Sequence, residues 1–316
     1  KAAMRDDLHH QVAHIASLPE QEAQYAVPAP PLPASLQRAL NALGVARLYS
    51  HQVEALQRAR RGENVVVVTA TSSGKTLCYN LPVLEDILRN RQATALYLYP
   101  INALINDQLR SLARMDLALR QDAVGIGRYT GALRAEERKA LRARQPNIIL
   151  TNPEMLHLSF LQWHPQWERF WRNLRYVVVD EVHTYRGVFG ANMAHVFQRL
   201  QRVAAHYGAR PQFICCSATI ANPQELAETL TGLPFAVVER DGSGRGRKQF
   251  VLWNPPVEPN GGDNVRRSYA QEAVNLMRHC LRAGYQTIVF ARARSMTERM
   301  LRLSQTLSGD DGFLAG

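Results

Sequence analysis

The run Asn64-Val65-Val66-Val67-Val68, followed at once by Thr69-Ala70-Thr71-Ser72-Ser73-Gly74-Lys75-Thr76, constrains the fold more than any other stretch. The valines read as a buried strand. Leu77 to Leu88 reads as a helix, and with Lys75 and Thr76 at its start the helix is expected over 75–89. Strand, small-residue loop, Gly-Lys-Thr and helix in this order make the context of a phosphate-binding loop. Small residues let backbone N–H groups curl around a polyphosphate, and the helix N-terminus adds free donors and a positive dipole end. Lys75 then reaches the β- and γ-phosphates, and Thr76 offers a hydroxyl to Mg²⁺. One position departs from the usual pattern: Thr69 stands where a glycine is common.

From residue 64 onward strands and helices alternate. Strands are expected at 64–68, 94–99, 124–129, 147–150, 175–179 and 212–216, with helices at 75–89, 102–112, 135–142, 191–206 and 223–230. This pattern predicts an α/β fold, a doubly wound, mostly parallel sheet whose functional loops lie at the carboxyl ends of the strands. The marked residues fall there: Tyr99-Pro100-Ile101-Asn102, Tyr129-Thr130-Gly131, Thr151-Asn152-Pro153-Glu154, Asp180-Glu181-Val182-His183 and Ser217-Ala218-Thr219. Asp180, at a strand end near the phosphate loop, is expected to hold Mg²⁺, largely through water. Glu181 is expected to orient and deprotonate an attacking water. Upstream, Gln52 opens a helix, and a Gln amide carries the donor and acceptor that an adenine edge needs.

At 316 residues the chain is long enough for about two domains. Lys and Arg number 38 against 27 Asp and Glu, and the +11 excess suits a polyanionic partner. The four cysteines include no Cys-x-x-Cys pair, so neither a zinc site nor disulfides are implied and reduced thiols are expected. No apolar run approaches membrane-spanning length, and no signal peptide is visible. Lys1 in place of an initiator Met suggests that the native N-terminus is not included. His9, His10 and His14 have no carboxylate or Cys cluster nearby and read as solvated.

Three parts are expected. Residues 1–33 form an extension and Pro-rich connector, with a short helix over 35–43 after it. Residues 34–238 form the nucleotide-binding sheet domain. Residues 239–316 begin as a Gly-rich basic linker or hairpin tip at 239–248. A strand at 250–253, a Pro/Gly loop at 254–263, a helix at 268–282, a buried strand at 287–290 and a helix at 295–307 follow. Two or three strands are few for a second sheet, so a fragment of a longer protein is expected.

The ordered set resembles a superfamily 2 helicase. Gln52, with Tyr49 before it, sits like the adenine-reading Gln motif, and Thr71-Ser72-Ser73-Gly74-Lys75-Thr76 resembles motif I. Pro100-Ile101-Asn102-Ala103-Leu104 with Asp107-Gln108 resembles motif Ia, and Thr151-Asn152-Pro153-Glu154 motif Ib. Asp180-Glu181-Val182-His183 is a DEVH form of motif II, Ser217-Ala218-Thr219 is motif III, and Val289-Phe290-Ala291-Arg292 resembles the start of motif IV. The stretch from Asp180 to Gly190, together with Phe250-Val251-Leu252-Trp253-Asn254-Pro255-Pro256, is similar to MrfA (YprA)-type DNA repair helicases.

That resemblance implies two RecA-like domains, the second only begun here. It implies an ATP- and Mg²⁺-dependent 3′→5′ DNA helicase of the cytoplasm (bacterial cytosol or nucleoid), acting on single-stranded DNA or a tailed duplex. Zinc is expected only in a C-terminal domain outside this chain. Motifs V and VI are absent from the chain, so weak hydrolysis is expected of residues 1–316 alone. Pro100, Asn102, Thr130, Gly131, Thr151, Asn152, Pro153 and Arg292 are expected to grip nucleic acid, through contacts that read no sequence. His183, Ser217, Ala218 and Thr219 are expected to couple the two sites. The residues themselves leave the track open between DNA and RNA, since a 2′-OH contact would be needed to separate them. An ATP-gated nucleic-acid clamp without unwinding is the alternative from another class. Protein partners are not readable.

Overall fold

The structure, a computed structural model, describes residues 11–257 and 265–307. His9, His10 and the loop positions 258–263 lie outside the described residues. The chain divides into two units, residues 21–245 and the described residues on either side of them.

Residues 21–245 are built on a seven-stranded parallel sheet. Its strands are β1 (Asn64–Val68), β2 (Thr94–Leu98), β3 (Ile126–Arg128), β4 (Ile148–Thr151), β5 (Leu174–Val179), β6 (Gln212–Ser217) and β7 (Phe235–Val238). The order across the sheet is β7-β1-β6-β5-β2-β4-β3, with β1 to β6 registered from Val65–Ile214 to Val68–Ser217. The pleat divides the valines of β1 between two cores: Val65 and Val67 join the cluster on one face, and Val66 and Val68 the cluster on the other. All four are buried, and each contributes about 1.5–3 kcal/mol of transfer free energy. A strand apolar on both faces has no place at a solvated surface, so β1 lies inside a sheet covered by helices on both sides.

The first face is covered by helices Ser50–Arg60, Lys75–Arg89 and Asn102–Leu119, together with Ala34–Ala42. The second is covered by the segment 153–172 and by helices Gly187–His206 and Pro223–Thr231. Glu85 is buried on the phosphate-loop helix and accepts from Arg60 through both carboxylate oxygens, at 2.8 and 2.8 Å, and from Arg89 at 2.8 Å.

Several expectations need correction. The edge strand β7 was not among the expected strands; it is four residues long and pairs parallel with β1. Residues 1–33 are more than an extension and connector. Val12–Leu18 pairs antiparallel with Lys248–Trp253, and Tyr25–Ala26 pairs with Leu48–Tyr49. His14 lies on the first of these strands and is exposed, as expected of it. The helix from Asn102 runs on to Leu119, and the last large helix of the sheet domain begins at Gly187.

In the second unit, helices Tyr269–Arg282 and Arg294–Leu307 meet through Ala270, Val274 and Met300. The Trp253 indole donates to Glu272 at 3.1 Å, and Arg267 pairs with the same carboxylate at 3.1 Å. Residues 287–290 do not form the buried strand expected of them. Ile288 and Phe290 are 75% and 85% exposed. A strand apolar on both faces needs paired neighbours, and among the described residues none pairs with this stretch.

Candidate functional site

Three adjacent strands, β1, β6 and β5, end side by side and deliver the phosphate loop, Ser217-Ala218-Thr219 and Asp180-Glu181 to one rim. The loop turns tightly into its helix: Ser72 (φ 66°) and Gly74 (φ 79°) are both left-handed. A Cβ on Gly74 would lie 2.7 Å from the Gln52 Nε2 atom, so the position requires glycine on two counts. The Thr69 and Ser73 hydroxyls bond each other at 2.6 Å, both side chains buried. Ser73 is therefore a loop brace, and Thr69 does this work where a glycine is common. The Lys75 ammonium donates to the Thr69 and Ala70 carbonyls at 2.9 and 2.8 Å, which holds it over the loop. Thr71 and Ser72 are exposed, and Thr76 is half-buried on the first helical turn.

Gln52 is buried and already engaged at both ends. Its carbonyl accepts from the Tyr49 N–H at 2.9 Å, and its amide donates to the Gly74 carbonyl at 3.0 Å. One N–H and one lone pair remain for any other partner. Tyr49 stacks on Tyr25 at 5.4 Å and on His51 at 5.7 Å between ring centroids.

Asp180 is tied directly to the phosphate-loop helix, because the buried Tyr79 hydroxyl lies 3.2 Å from its Oδ2 atom. The same hydroxyl is 3.4 Å from both the Tyr99 hydroxyl and Gln108 Oε1. Its single proton can serve one acceptor at a time. The other Asp180 oxygen accepts from the Glu181 N–H at 2.9 Å. Protein surrounds the partly accessible carboxyl. Burial pushes its pKa up to about 6 against the pull of the Glu181 N–H, with the Glu181 charge adding to the rise. A cation beside it would offset that cost. Asp180 and Thr76 offer hard oxygen donors of the kind Mg²⁺ takes, so the residues fit the metal.

Glu181 is left-handed at φ 52°, a conformation costing about 1–2 kcal/mol for a side chain of this kind. Its carbonyl accepts from the Thr184 N–H at 2.9 Å and hydroxyl at 2.8 Å, which holds the turn. His183 Nδ1 accepts from the Ala218 N–H at 3.1 Å and sits 3.4 Å from both the Ser217 hydroxyl and Glu181 Oε2. An N–H donor fixes Nδ1 as the bare nitrogen of the neutral ring. His183 thus joins the β6 loop to the turn that begins at Glu181. Ser217 is buried and Thr219 exposed.

The loops after β2, β3 and β4 form the other part of the rim. Asn152 donates to Asn102 at 3.0 Å and caps the next short helix by accepting from the Met155 N–H at 2.8 Å. Three expected contact residues are buried there. Thr151 is 0% exposed, with its hydroxyl given to the Tyr129 carbonyl at 2.6 Å, and Thr130 is 2% exposed. Their side chains shape the loops and do not face outward; Pro153 is likewise buried. Asn102 and Gly131 are exposed, and Pro100 and Asn152 half-buried. Arg292, in the other unit, is exposed. Sequence reasoning missed His51, Tyr79 and Asp241 as parts of this site. His51 and Asp241 bond the phosphate loop from 22 and 171 residues away, and no local pattern announces either.

A parallel sheet carrying Gly-Lys-Thr after β1 and Asp-Glu after β5 defines a P-loop nucleotide-binding domain of the RecA-like kind. Residues 49–226 match the sequence profile of the DEAD/DEAH box helicases, and the chain belongs to that family. Within superfamily 2 it is of the MrfA/YprA-like type. It is 45% identical over 289 residues to the ATP-dependent helicase YprA of Bacillus subtilis, covering 88% of this chain and 37% of YprA. It is 35% identical over 292 residues to the ATP-dependent helicase hrq1 of Schizosaccharomyces pombe, covering 90% of this chain and 27% of that one. The crystal structure of the helicase MrfA bound to DNA and AMPPNP superposes with a TM-score of 0.89 at 41% identity, over 96% of this chain and 42% of MrfA. The chain therefore spans well under half the length of these relatives.

Proposed function

We propose that this chain is the ATP-binding part of a DNA helicase or translocase that moves 3′→5′ along single-stranded DNA and acts in DNA repair. Residues 34–238 are its first RecA-like domain, and 239–316 are the linker and the opening of a second. The observation that carries the reading is the Tyr79–Asp180 bond, which locks the strand-end carboxylate to the phosphate-loop helix. The ordered loops on the same rim and the DNA-bound state of MrfA support the choice of track.

Lys75 binds the β- and γ-phosphates of ATP, with Gln52 and Tyr49 beside the base and residues 71–74 along the polyphosphate. Thr76 and Asp180 hold Mg²⁺, which, when bound, offsets charge developing on the γ-phosphate. Glu181 orients the water and takes its proton. Pro100, Asn102, Gly131, Asn152 and Arg292 face the strand, with Thr130, Thr151 and Pro153 shaping the loops. His183, Ser217, Ala218 and Thr219 link the two sites.

The deciding experiment is the ATPase rate with no nucleic acid, with single-stranded DNA and with single-stranded RNA. DNA-only stimulation that disappears in Lys75→Ala is the expected result. Stimulation by RNA moves the track to RNA, and no stimulation by either favours a clamp.

A further inference from the structure

The phosphate loop is held from outside by two residues that the nucleotide reading does not use. His51 is fully buried at the start of helix Ser50–Arg60. Its Nε2 lies 3.1 Å from the Ser73 carbonyl, and its Nδ1 accepts from the Gly242 N–H at 3.1 Å. A carbonyl only accepts and an N–H only donates, so the partners fix one tautomer, protonated on Nε2. Asp241 holds the same loop from beside His51, its Oδ1 3.9 Å from His51 Nδ1. Its Oδ2 accepts from the Ala70 N–H at 3.1 Å, and its Oδ1 from the Ser243 N–H at 2.9 Å and hydroxyl at 2.6 Å.

The segment carrying Asp241 is itself tightly fitted. The Asp241 carbonyl accepts from Gln21 at 2.9 Å, and the Gly242 carbonyl from the Gln24 N–H at 2.8 Å. A Cβ at Gly242 would lie 2.1 Å from the Ser50 hydroxyl and 3.0 Å from the Gln24 carbonyl. The loop between β1 and its helix is thereby fastened to the chain that follows β7, a few residues before that chain leaves the sheet unit after Arg245.

We propose that His51 and Asp241 are positioning residues that set the phosphate loop and couple its conformation to the 241–243 segment leading out of the sheet unit. The inference rests on the nucleotide reading of residues 69–76. The Ser73 carbonyl and Ala70 N–H flank the positions that bind phosphate, so a loop that adjusts to a polyphosphate strains both bonds. Any such coupling is reciprocal: what the nucleotide does to the 241–243 segment, displacement of that segment does to nucleotide affinity.

The test is made on the protein with His51→Asn, His51→Gln, Asp241→Asn and Asp241→Ala, using ATP and its non-hydrolysable analogue AMPPNP. Asn at 51 keeps an acceptor near the Nδ1 position and gives up the Ser73 bond, whereas Gln keeps a donor near Nε2 and gives up the Gly242 bond. The expected result is a rise of about tenfold in KM for His51→Asn and Asp241→Ala, as for one lost hydrogen bond to a buried partner, with kcat changed less. His51→Gln and Asp241→Asn are expected to stay nearer the parent KM.

Hydrogen exchange supplies the readout that a merely structural role would not move. AMPPNP is expected to change protection of the Gly242 and Ser243 amides in the parent protein. His51→Gln, which keeps the loop bond but not the Gly242 bond, is expected to lose the response at Gly242. Parent-like KM values and exchange responses in folded variants of both residues overturn the proposal while leaving the nucleotide reading intact. A parent protein that binds no AMPPNP, or whose binding ignores Lys75→Ala, overturns that reading and this inference with it.

Discussion

Replacing Gly74 by alanine tests the geometry of the phosphate loop from within. Gly74 caps its helix at φ 79° and ψ 30°. A side chain in that region costs about 1–2 kcal/mol. The new Cβ also meets Gln52 Nε2 at 2.7 Å, and this amide cannot swing aside freely. It is 1% exposed and bonded at both ends, to the Tyr49 N–H and the Gly74 carbonyl. Displacing it breaks at least one bond to a buried partner, about 1–3 kcal/mol. Gly74→Ala is therefore expected to destabilise the protein by about 2–5 kcal/mol, the sum of these two contributions. Denaturant unfolding of the parent, Gly74→Ala, Gln52→Ala and the double variant closes a mutant cycle. Once Gln52 is truncated only the backbone cost of Gly74→Ala should remain, a coupling of about 1–3 kcal/mol. Strict additivity, with Gly74→Ala costing as much in both backgrounds, would refute the steric argument.

Glu85→Ala is expected to cost about 3–5 kcal/mol in unfolding measurements, because it strips the carboxylate from a mostly buried Arg60. Adding Arg60→Met should recover part of the loss, and no recovery would sink the idea of an uncompensated guanidinium. Thiol alkylation of the folded protein is expected to label Cys280 and spare Cys78, Cys215 and Cys216, whose burial raises their thiol pKa values; mass spectrometry of labelled peptides decides this. Burial lowers the His51 pKa below the usual 6.5, so the unfolded chain binds the extra proton first. Its stability contribution is complete above pH 6.5 and is lost as pH falls through that value toward the folded pKa. The gap in melting temperature between parent and His51→Gln should narrow on acidification; a constant gap would contradict the assignment.

Much of the sheet was legible because its strands are apolar on both faces and its helices are amphipathic, so the periods differ over long windows. Val65 to Val68 and Lys75 to Arg89 carry that signal without help from the rest of the chain. The strand at Phe235–Val238 was missed because four residues carry little pattern and its pairing with β1 depends on a partner 171 positions away. Of the ladder between Val12–Leu18 and Lys248–Trp253, a strand at 250–253 was expected, but its partner was not, because Val12–Leu18 is largely exposed and pairs far along the chain. Residues 287–290 erred in the opposite direction: an apolar run resembles a buried strand even where no neighbour pairs with it.

At the site, residue types on the strand ends gave away the phosphate loop and the acidic pair. Burial separated contact from support. Thr130, Thr151 and Ser73 have the hydroxyls expected of phosphate grips, but each lies inside the fold. Tyr79 sits on an apolar helix face where tyrosine usually means core packing, and only the fold reveals Asp180 beside its hydroxyl.

Gln21 and Arg245 exchange two backbone hydrogen bonds, Gln21 N–H to the Arg245 carbonyl at 2.9 Å and the reverse at 3.0 Å. The sheet unit therefore enters and leaves the rest of the chain through a single stapled doorway, like an insertion with its two ends already sewn together. A gene fragment for residues 21–245 carries that closure with it, which makes the unit portable. It can be excised, circularised through a short peptide joining its own ends, or transplanted into another host chain, with every hydrogen bond of the phosphate loop described above travelling inside the cut.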